Sequence, residues 1–268
     1  MNYISFLGGS GYISNSIRNK NFEQKNSINF YSRRSSNQCI KYKNIDEIPK
    51  SKIIFDLSQW ANGKDIDKYG TEIMRESILK AINRCDYYIF ISTLSIDINN
   101  ACKYPHDQYS TNKLEFERLI ISLRNSNAYI LRIPSCFNKS PKIGSLIRLL
   151  FDRLNGSDLI IKQPYKYTSG IDTEEIFDFF KILIQSPDRI PFIFGQKKLL
   201  CLGDGFAYQI IGLENFLRKY SKINIEYSSE FIFPEDQKIN LIKNCKWNLQ
   251  PISFPVKLLY SIMLSKQK

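Results

Sequence analysis

The segment that decides the fold is YISFLGGSGYIS, at residues 3–14. Its first part, 3–7, is a largely apolar run with the length of a short buried strand. Glycines and a serine stop this run at 8–11, and apolar residues then recur at helical spacing at Ile13 and Ile17. The segment therefore predicts a strand, a tight turn and a helix.

The same alternation continues along the chain. Further strands are predicted at 27–31, 39–42, 52–57, 87–92 and 128–133. Amphipathic helices are predicted between them, notably at 71–84 and 111–124. Strands that alternate with helices indicate an α/β fold, in which helices cover both faces of a parallel sheet.

A change of pattern after Pro134 predicts a second, smaller lobe. Helical segments follow one another there, at 143–154, 173–185 and 213–220. We predict one domain at 1–134 and a mostly separate lobe at 135–268, in which residues near 192–202 return to the main sheet.

The composition narrows the class of protein. The chain of 268 residues is 43% apolar and 13% aromatic, which is enough to bury a substantial core. Its formal net charge is +12, but the lysines are spread along the chain and form no basic block, which argues against a nucleic-acid-binding tail. A diffuse positive field still favours the capture of small polyanions such as dinucleotides.

The N-terminus and the cysteines predict the compartment. The first residues carry no basic lead and only a short apolar run, so we expect neither a secretory signal nor a membrane span, and hence a cytoplasmic protein. The six cysteines show no CxxC spacing and are expected to be reduced thiols that hold no metal. The single histidine, His106, lies in a predicted surface loop, and we assign it no role.

The glycine cluster has the features of a phosphate-binding turn. Small residues let a phosphate approach the backbone, and the N-terminus of the next helix offers N–H groups to an anion. A plain tight turn has the same composition, but the position after the first strand of an alternating chain favours a dinucleotide site. Ser14 stands where the usual pattern has its third glycine.

Ser32, Arg33 and Arg34 lie at the end of the second predicted strand. In dinucleotide-binding folds an acid near this point binds the ribose of NAD, whereas an arginine accommodates the 2′-phosphate of NADP. The strand ends without an acid, and the other interpretation is that both arginines are merely solvated. The predicted cofactor is NADP(H), with NAD(H) as the alternative.

Tyr109 and Lys113 form a pair suited to proton transfer. A spacing of four residues places them on one helical face, where an ammonium can lower the pKa of a phenol. A hydroxyl group at the end of the preceding strand, within 91–95, can hydrogen-bond the same substrate oxygen. The pair alone occurs by chance in many helices, but this context predicts a catalytic site.

At these positions the chain resembles the extended short-chain dehydrogenases/reductases, the family of nucleotide-sugar epimerases, dehydratases and 4-ketoreductases. The resemblance is carried by FISTLSID (90–97), YSTNKLEFE (109–117) and YILRIPSCF (129–137), and more weakly by 199–217 and 245–254. One departure is IIFDLSQWA (53–61), which replaces the family's usual apolar-His-Leu-Ala-Ala.

The resemblance implies a Rossmann-type doubly wound parallel sheet with a small C-terminal α/β substrate lobe. It assigns the catalytic roles to Thr93, Tyr109 and Lys113. The implied cofactor-binding residues are Gly8, Gly9, Ser10, Gly11, Tyr12, Ile13, Ser32, Arg33, Arg34, Leu57, Lys113 and Pro134.

The leading hypothesis is an NADP(H)-dependent reductase of a keto group on a nucleotide-linked sugar or deoxysugar, of the kind made for bacterial surface polysaccharides. The alternatives are an NAD-dependent nucleotide-sugar epimerase or dehydratase, and a non-catalytic dinucleotide-binding protein. The helices at 71–84 and 111–124 carry apolar residues on two faces, and the resemblance implies that they form a homodimer interface. No nucleic-acid or membrane partner is expected.

Overall fold

The central feature of the structure is one sheet of eight parallel strands. The computed structural model describes residues 3–18, 20, 22, 27–33, 38–58, 71–123, 127–138, 141, 145–220, 233–242, 246–249 and 252–266. The strands are, in chain order, β1 (Tyr3–Leu7), β2 (Ser27–Ser32), β3 (Ile40–Lys41), β4 (Ser51–Asp56), β5 (Cys85–Thr93), β6 (Ala128–Ile133), β7 (Ser135–Phe137), β8 (Tyr167–Thr168), β9 (Gly170–Asp172), β10 (Leu199–Gly203), β11 (Phe206–Gln209), β12 (Lys238–Asn240) and β13 (Lys246–Leu249). The main sheet has the order β13-β10-β6-β5-β4-β1-β2-β3, with parallel pairing throughout. The predicted doubly wound parallel sheet is confirmed.

Helices cover both faces of this sheet. The described α-helices are α1 (Tyr12–Arg18), α2 (Thr71–Ile82), α3 (Ser95–Cys102), α4 (Gln108–Ser122), α5 (Leu146–Leu154), α6 (Thr173–Gln185), α7 (Ile190–Phe194), α8 (Ile210–Tyr220) and α9 (Phe254–Lys266). Helix α4 begins earlier than predicted because the Asp107 side chain caps it, accepting a hydrogen bond of 2.8 Å from the Ser110 N–H. No helix within the described residues is long and apolar enough to cross a membrane.

The strand order reverses beside β1. From β1 the chain moves outward to β2 and β3, and then returns to β4 on the other side of β1. The connections that leave β1 and β4 therefore diverge, and they leave a crevice at the carboxyl ends of these strands. Open α/β sheets bind their ligands at such a point. Here Gly8 and Leu57 directly follow β1 and β4.

The main core has one layer on each face of the sheet, because side chains alternate along every strand. Phe6 points to one face and stacks between Phe30 and Phe55, with ring centroids 4.7 Å away in each case. Phe180 of α6 covers this stack, 4.6 Å from the Phe55 ring. Leu7 points to the other face, which α2 and α4 cover. These buried aromatic rings fix how the first helix and α6 lie against the glycine turn.

The second lobe has its own apolar cluster. Helices α5, α8 and α9 and the adjoining strands contribute Phe137, Leu150, Leu213, Phe254 and Leu258 to it. Its small sheets have the order β12-β11-β8, antiparallel, and β7-β9, parallel. The segment 192–202 is part helix, since α7 ends at Phe194 and only β10 is a strand, which pairs with β6 in the main sheet. The division of the chain at residue 134 stays a prediction.

The outer faces of α2 and α4 are less apolar than the sequence pattern indicated. Most of the apolar residues that suggested a second face belong to the core, namely Met74, Ile78, Ile82, Phe116 and Ile120. The sequence pattern indicated a second apolar face because the stripe of side chains that faces the sheet is wide on both helices. Exposed apolar side chains on the two helices are Ile73, Leu79 and Ile121.

Candidate functional site

The glycine turn after β1 depends on close backbone contacts. Gly8 has φ of 80°, and a Cβ at this position would lie 2.6 Å from the carbonyl oxygen of Leu57. The Gly9 N–H donates to the Tyr31 carbonyl oxygen at 2.7 Å, which ties the turn to β2. The Ser14 hydroxyl donates to the Gly8 carbonyl oxygen at 3.1 Å, and Ser14 is fully buried. A serine therefore fits where the usual pattern has its third glycine.

The end of β2 lies beside this turn. The Ser10 and Ser32 hydroxyl oxygens are 2.9 Å apart, so the two loops are hydrogen-bonded to each other. The guanidinium of Arg33, the residue after β2, lies 5.7 Å from the centroid of the Tyr42 ring in a cation–π arrangement. Arg34, the other predicted 2′-phosphate ligand, lies outside the described residues.

The predicted catalytic hydroxyl groups meet at the end of β5. The side chains of Thr93 and Tyr109 both line the cavity at this point. Thr93 also donates to the Ser95 hydroxyl at 3.1 Å, and the Ser95 N–H donates back to the Thr93 hydroxyl oxygen at 3.2 Å. Thr93 is buried, whereas Tyr109 is 39% exposed and so accessible from the crevice. The structure places these two residues in one cavity lining, and their catalytic roles stay a prediction.

Lys113 lies under the phenol rather than against its hydroxyl group. Its Nζ donates to the Ile91 carbonyl oxygen at 2.8 Å and lies 4.5 Å above the centroid of the Phe90 ring. The distance from Nζ to the centroid of the Tyr109 ring is 6.0 Å. The ammonium is therefore close enough to act on the phenol and on a ligand beside it, while its own position is fixed by the strand.

The protonation of this pair differs from the expectation that the ammonium lowers the pKa of the phenol. Desolvation of the phenol by the surrounding protein, with smaller contributions from Cys136 and Asp107, raises the pKa of Tyr109 to about 12, and the side-chain interaction with Thr93 only partly opposes this. Burial also lowers the pKa of Lys113 to about 8, although the nearby Asp56 and Glu117 carboxylates act to raise it. At neutral pH Tyr109 is a phenol with a proton to give, and Lys113 is mostly protonated.

A continuous cleft connects the glycine turn to the catalytic residues. One cavity, of about 230 Å³, adjoins Gly11, Tyr12 and Ile13. The next, of about 260 Å³, shares Ile13 and Leu57 with the first and contains the three predicted catalytic side chains and Pro134. A third, of about 60 Å³, continues past Pro134 toward polar residues of the second lobe, and its lining includes Ser95, Asn99, Ser135, Tyr167, Thr168 and Ser169. The three cavities thus run from the glycine turn past the catalytic residues toward the second lobe.

Comparison with known proteins identifies the fold. No protein-family model matches the sequence, and no curated protein matches it significantly. Solved structures do match: the NAD-dependent NDP-hexosamine 5,6-dehydratase TunA of tunicamycin biosynthesis has a TM-score of 0.68 at 10% identity, over 100% of this chain and 98% of that chain. RMD from Pseudomonas aeruginosa, in complex with NADPH, has a TM-score of 0.63 at 12% identity, over 99% and 98%.

A third matching structure is a short-chain dehydrogenase/reductase superfamily protein from Agrobacterium tumefaciens with bound NAD. It has a TM-score of 0.51 at 13% identity, over 68% of this chain and 73% of that chain. The chain has the short-chain dehydrogenase/reductase fold. The fold that the sequence resemblance implied is therefore confirmed.

Within this dehydrogenase/reductase fold, the sequence prediction missed a set of buried charges below the cleft. Asp56, Asp97 and Arg132 are each at least nine-tenths buried. The Asp56 carboxylate accepts hydrogen bonds from the Tyr88 hydroxyl at 2.6 Å and from the Ser58 N–H at 2.9 Å. The available signal was a charged residue inside an otherwise apolar segment, since buried charges need partners.

The remaining polar residues of this region are peripheral. A ring nitrogen of His106 lies 3.0 Å from the Asn100 side-chain oxygen, outside the cleft lining. Within the part of the chain that the structure describes, no group of three His, Cys, Asp or Glu side chains is arranged to hold a metal ion. The five described cysteines are free thiols.

Proposed function

We propose that the chain is an NADP(H)-dependent reductase of the extended short-chain dehydrogenase/reductase family, acting on a keto group of a nucleotide-linked sugar. The observation that carries this proposal is the Tyr109 phenol, which is protonated and lines the same cavity of the cleft as the Thr93 hydroxyl and Lys113. A proton donor at this point is what the reduction of a carbonyl group requires.

The residues of the cleft fit a nicotinamide dinucleotide. The glycine turn removes side chains where a pyrophosphate would lie, and the first turn of α1 leaves N–H groups without intrahelical partners. The buried Ser92 hydroxyl lines the cleft and has no hydrogen-bond partner among the described residues, so a polar group of a ligand can satisfy it. Two of the structures with this fold were solved with NAD and NADPH. Arg33, directly after β2, favours NADPH.

The chain's own residues then perform the acid catalysis. Bound NADPH would supply the hydride. Tyr109 donates its proton to the carbonyl oxygen of the substrate, so that hydride and proton together convert the ketone into a secondary alcohol. The Thr93 hydroxyl hydrogen-bonds the same oxygen and polarises the carbonyl group. The Lys113 ammonium stabilises the negative charge that remains on the Tyr109 oxygen until solvent returns a proton.

An NAD-dependent epimerase or dehydratase is the second candidate. Its support is the similarity of the whole fold to a nucleotide-hexosamine dehydratase. Such reactions begin with oxidation by bound NAD, whereas the arginines at the end of β2 favour NADPH. Dehydration also needs an acid–base pair, and none of the described residues that line the cleft is acidic. We therefore place the reductase first.

A non-catalytic dinucleotide-binding protein is the third candidate. It has no need for a hydroxyl group, a phenol and a buried ammonium that line one cavity, which is why we place it last. The partner of the reductase would be a nucleotide-linked sugar, and the second lobe would bind it.

We also propose a homodimer through α2 and α4, supported by the exposed Ile73, Leu79 and Ile121.

The deciding experiment is a substrate screen. Purified protein with NADPH is mixed with 4-keto-6-deoxy sugars linked to UDP, dTDP or GDP, and NADPH oxidation is followed by absorbance. The proposal predicts turnover with one of them, lost in Tyr109→Phe and kept in Tyr165→Phe, whose side chain is exposed. Tightly bound NAD retained through purification, without NADPH oxidation, would favour the epimerase or dehydratase.

A further inference from the structure

A buried ion cluster lies directly beneath the catalytic residues. Arg132 donates to both carboxylate oxygens of Glu117, from Nε at 3.0 Å and from Nη2 at 2.5 Å. Its Nη1 donates to Asp97 Oδ1 at 2.6 Å. The Cys201 thiol lies 3.7 Å from the other oxygen of Asp97. Side-chain exposure is 10%, 6% and 1% for Arg132, Asp97 and Glu117, so all three charges are shielded from water.

Each member of this cluster belongs to a segment that carries a residue of the cleft. Asp97 lies in α3, four residues after Thr93. Glu117 lies in α4, one helical turn after Lys113 and two turns after Tyr109. Arg132 lies in β6, two residues before Pro134. A bidentate contact and a third hydrogen bond from one guanidinium therefore fix the three segments relative to one another.

The cluster is also unbalanced in charge. Two carboxylates face one guanidinium, so the trio carries one negative charge in excess when both acids are ionised. Among the described residues, the carboxylates that act on Lys113 are Asp56 on β4 and Glu117 on its own helix. Tyr88 on β5 is hydrogen-bonded to Asp56, Arg132 on β6 is hydrogen-bonded to Glu117, and the Tyr109 ring centroid lies 6.0 Å from the Lys113 Nζ. Because a buried ammonium is costly without a counter-charge, the Glu117 end of the cluster matters to Lys113.

We propose that Arg132, Asp97 and Glu117 form a positioning cluster for the active site, which holds the segments of Thr93, Lys113 and Pro134 in register and keeps the Lys113 ammonium charged. The three residues touch neither substrate nor cofactor, and they act through Lys113 and Tyr109. Loss of the Glu117 charge makes the ammonium less stable, so Lys113 deprotonates at a lower pH and supports the Tyr109 oxygen over a narrower range.

The direct test is the titration of Lys113. Protein labelled with [13C]lysine is followed by NMR against pH, and the Lys113 Cε resonance is assigned by its loss in Lys113→Arg. We expect Glu117→Gln, which keeps the size of the side chain and one of the two acceptor oxygens, to lower the midpoint by about one pH unit or more. Glu115→Gln is the matched control, because it removes the same charge from an exposed position of the same helix. Equal midpoints in these two variants overturn the proposal.

A second variant and a second readout complete the test. Asp97→Asn leaves the Arg132–Glu117 contact in place and should shift the Lys113 midpoint in the same direction. It replaces Glu117→Gln if that variant does not fold, and an unchanged midpoint in Asp97→Asn then overturns the proposal.

The catalytic role of the cluster rests on the proposed function. In NADPH oxidation, the alkaline limb of the pH profile of kcat should move with the Lys113 midpoint, while the KM for the sugar stays constant. A shifted midpoint without any NADPH oxidation by the wild type would refute the reductase and leave the effect on Lys113 intact.

Discussion

The Ser14 hydroxyl closes the glycine turn by donating a hydrogen bond to the Gly8 carbonyl oxygen across 3.1 Å. The same oxygen accepts a hydrogen bond from the Gly11 N–H at 2.9 Å. The turn is therefore held by a side chain of α1 and by a backbone hydrogen bond within the turn. This arrangement places the backbone of Gly8 against Leu57 with no room for a side chain. The turn is thus shaped by contacts on both sides, and its sensitivity to substitution can be measured.

Gly8→Ala should be more damaging than the same change at another left-handed glycine. Both Gly8 and Gly156 have positive φ, but a Cβ at Gly156 meets nothing within 4 Å, whereas at Gly8 it meets the Leu57 backbone. Gly156→Ala should therefore lower the free energy of unfolding by about 1–2 kcal/mol, the cost of the backbone conformation alone. Gly8→Ala should lower the free energy of unfolding by more than this, as measured by urea denaturation. Equal decreases in the two variants would contradict the close approach of Gly8 to Leu57.

Tyr109→Phe should abolish proton donation without changing the shape of the site. Turnover with NADPH is expected to fall by about two orders of magnitude or more, the scale of a lost general acid. The affinity for NADPH, measured by fluorescence titration, should stay within about twofold because the phenol hydroxyl is not part of the glycine turn. Near-normal turnover in this variant would remove Tyr109 from the mechanism.

Replacing Arg33 and Arg34 together by alanine should separate the two cofactors. If they bind the 2′-phosphate, NADPH affinity should fall by ~2–3 kcal/mol, the scale of lost charged hydrogen bonds, and NADH affinity should change little. Arg75→Ala, on the exposed face of α2, is the control for general charge effects. Equal losses for both cofactors, or a wild-type preference for NADH, would favour NAD(H) as the cofactor.

The buried Lys113 should leave a signature in the pH dependence of stability. Burial lowers its pKa from 10.5 to about 8, so between these values the unfolded chain binds the additional proton and stability rises with pH. The stability of the wild type relative to Lys113→Met should therefore grow by up to roughly 3 kcal/mol over this window. Other titrating groups are common to both proteins and cancel in the difference. Lys50→Met, at an exposed position, is the matched control for removing a lysine charge.

The proposed homodimer predicts a mass near twice the 31.4 kDa of the chain by light scattering at micromolar protein. Ile121→Glu, on the outer face of α4, should lower this mass, whereas Ile182→Glu, exposed on α6, should not. Phe116 and Ile120 are unsuitable for this test because a charge there would enter the core. A monomeric wild type would end the dimer proposal and leave the catalytic assignment as it stands.

The sequence predicted what depends on local pattern. Alternating strands and helices, the glycine turn and the spacing of Tyr109 and Lys113 are all short-range features, and each has its counterpart in the structure. The sequence did not predict the features that depend on burial. The raised pKa of Tyr109 and the contacts of Arg132 arise from residues distant in the chain, and only the packed structure brings them together.

The position of β10 beside β6 has a consequence for how the protein is made. Six strands of the main sheet are complete by Ile133, but the strand that pairs with the far side of β6 begins only at Leu199. During synthesis β6 therefore remains an open edge while more than sixty further residues leave the ribosome. Unpaired edges of this kind invite pairing with other chains, and distant pairings form slowly. Nascent chains halted between β6 and β10 should be the ones most prone to aggregate and to recruit chaperones.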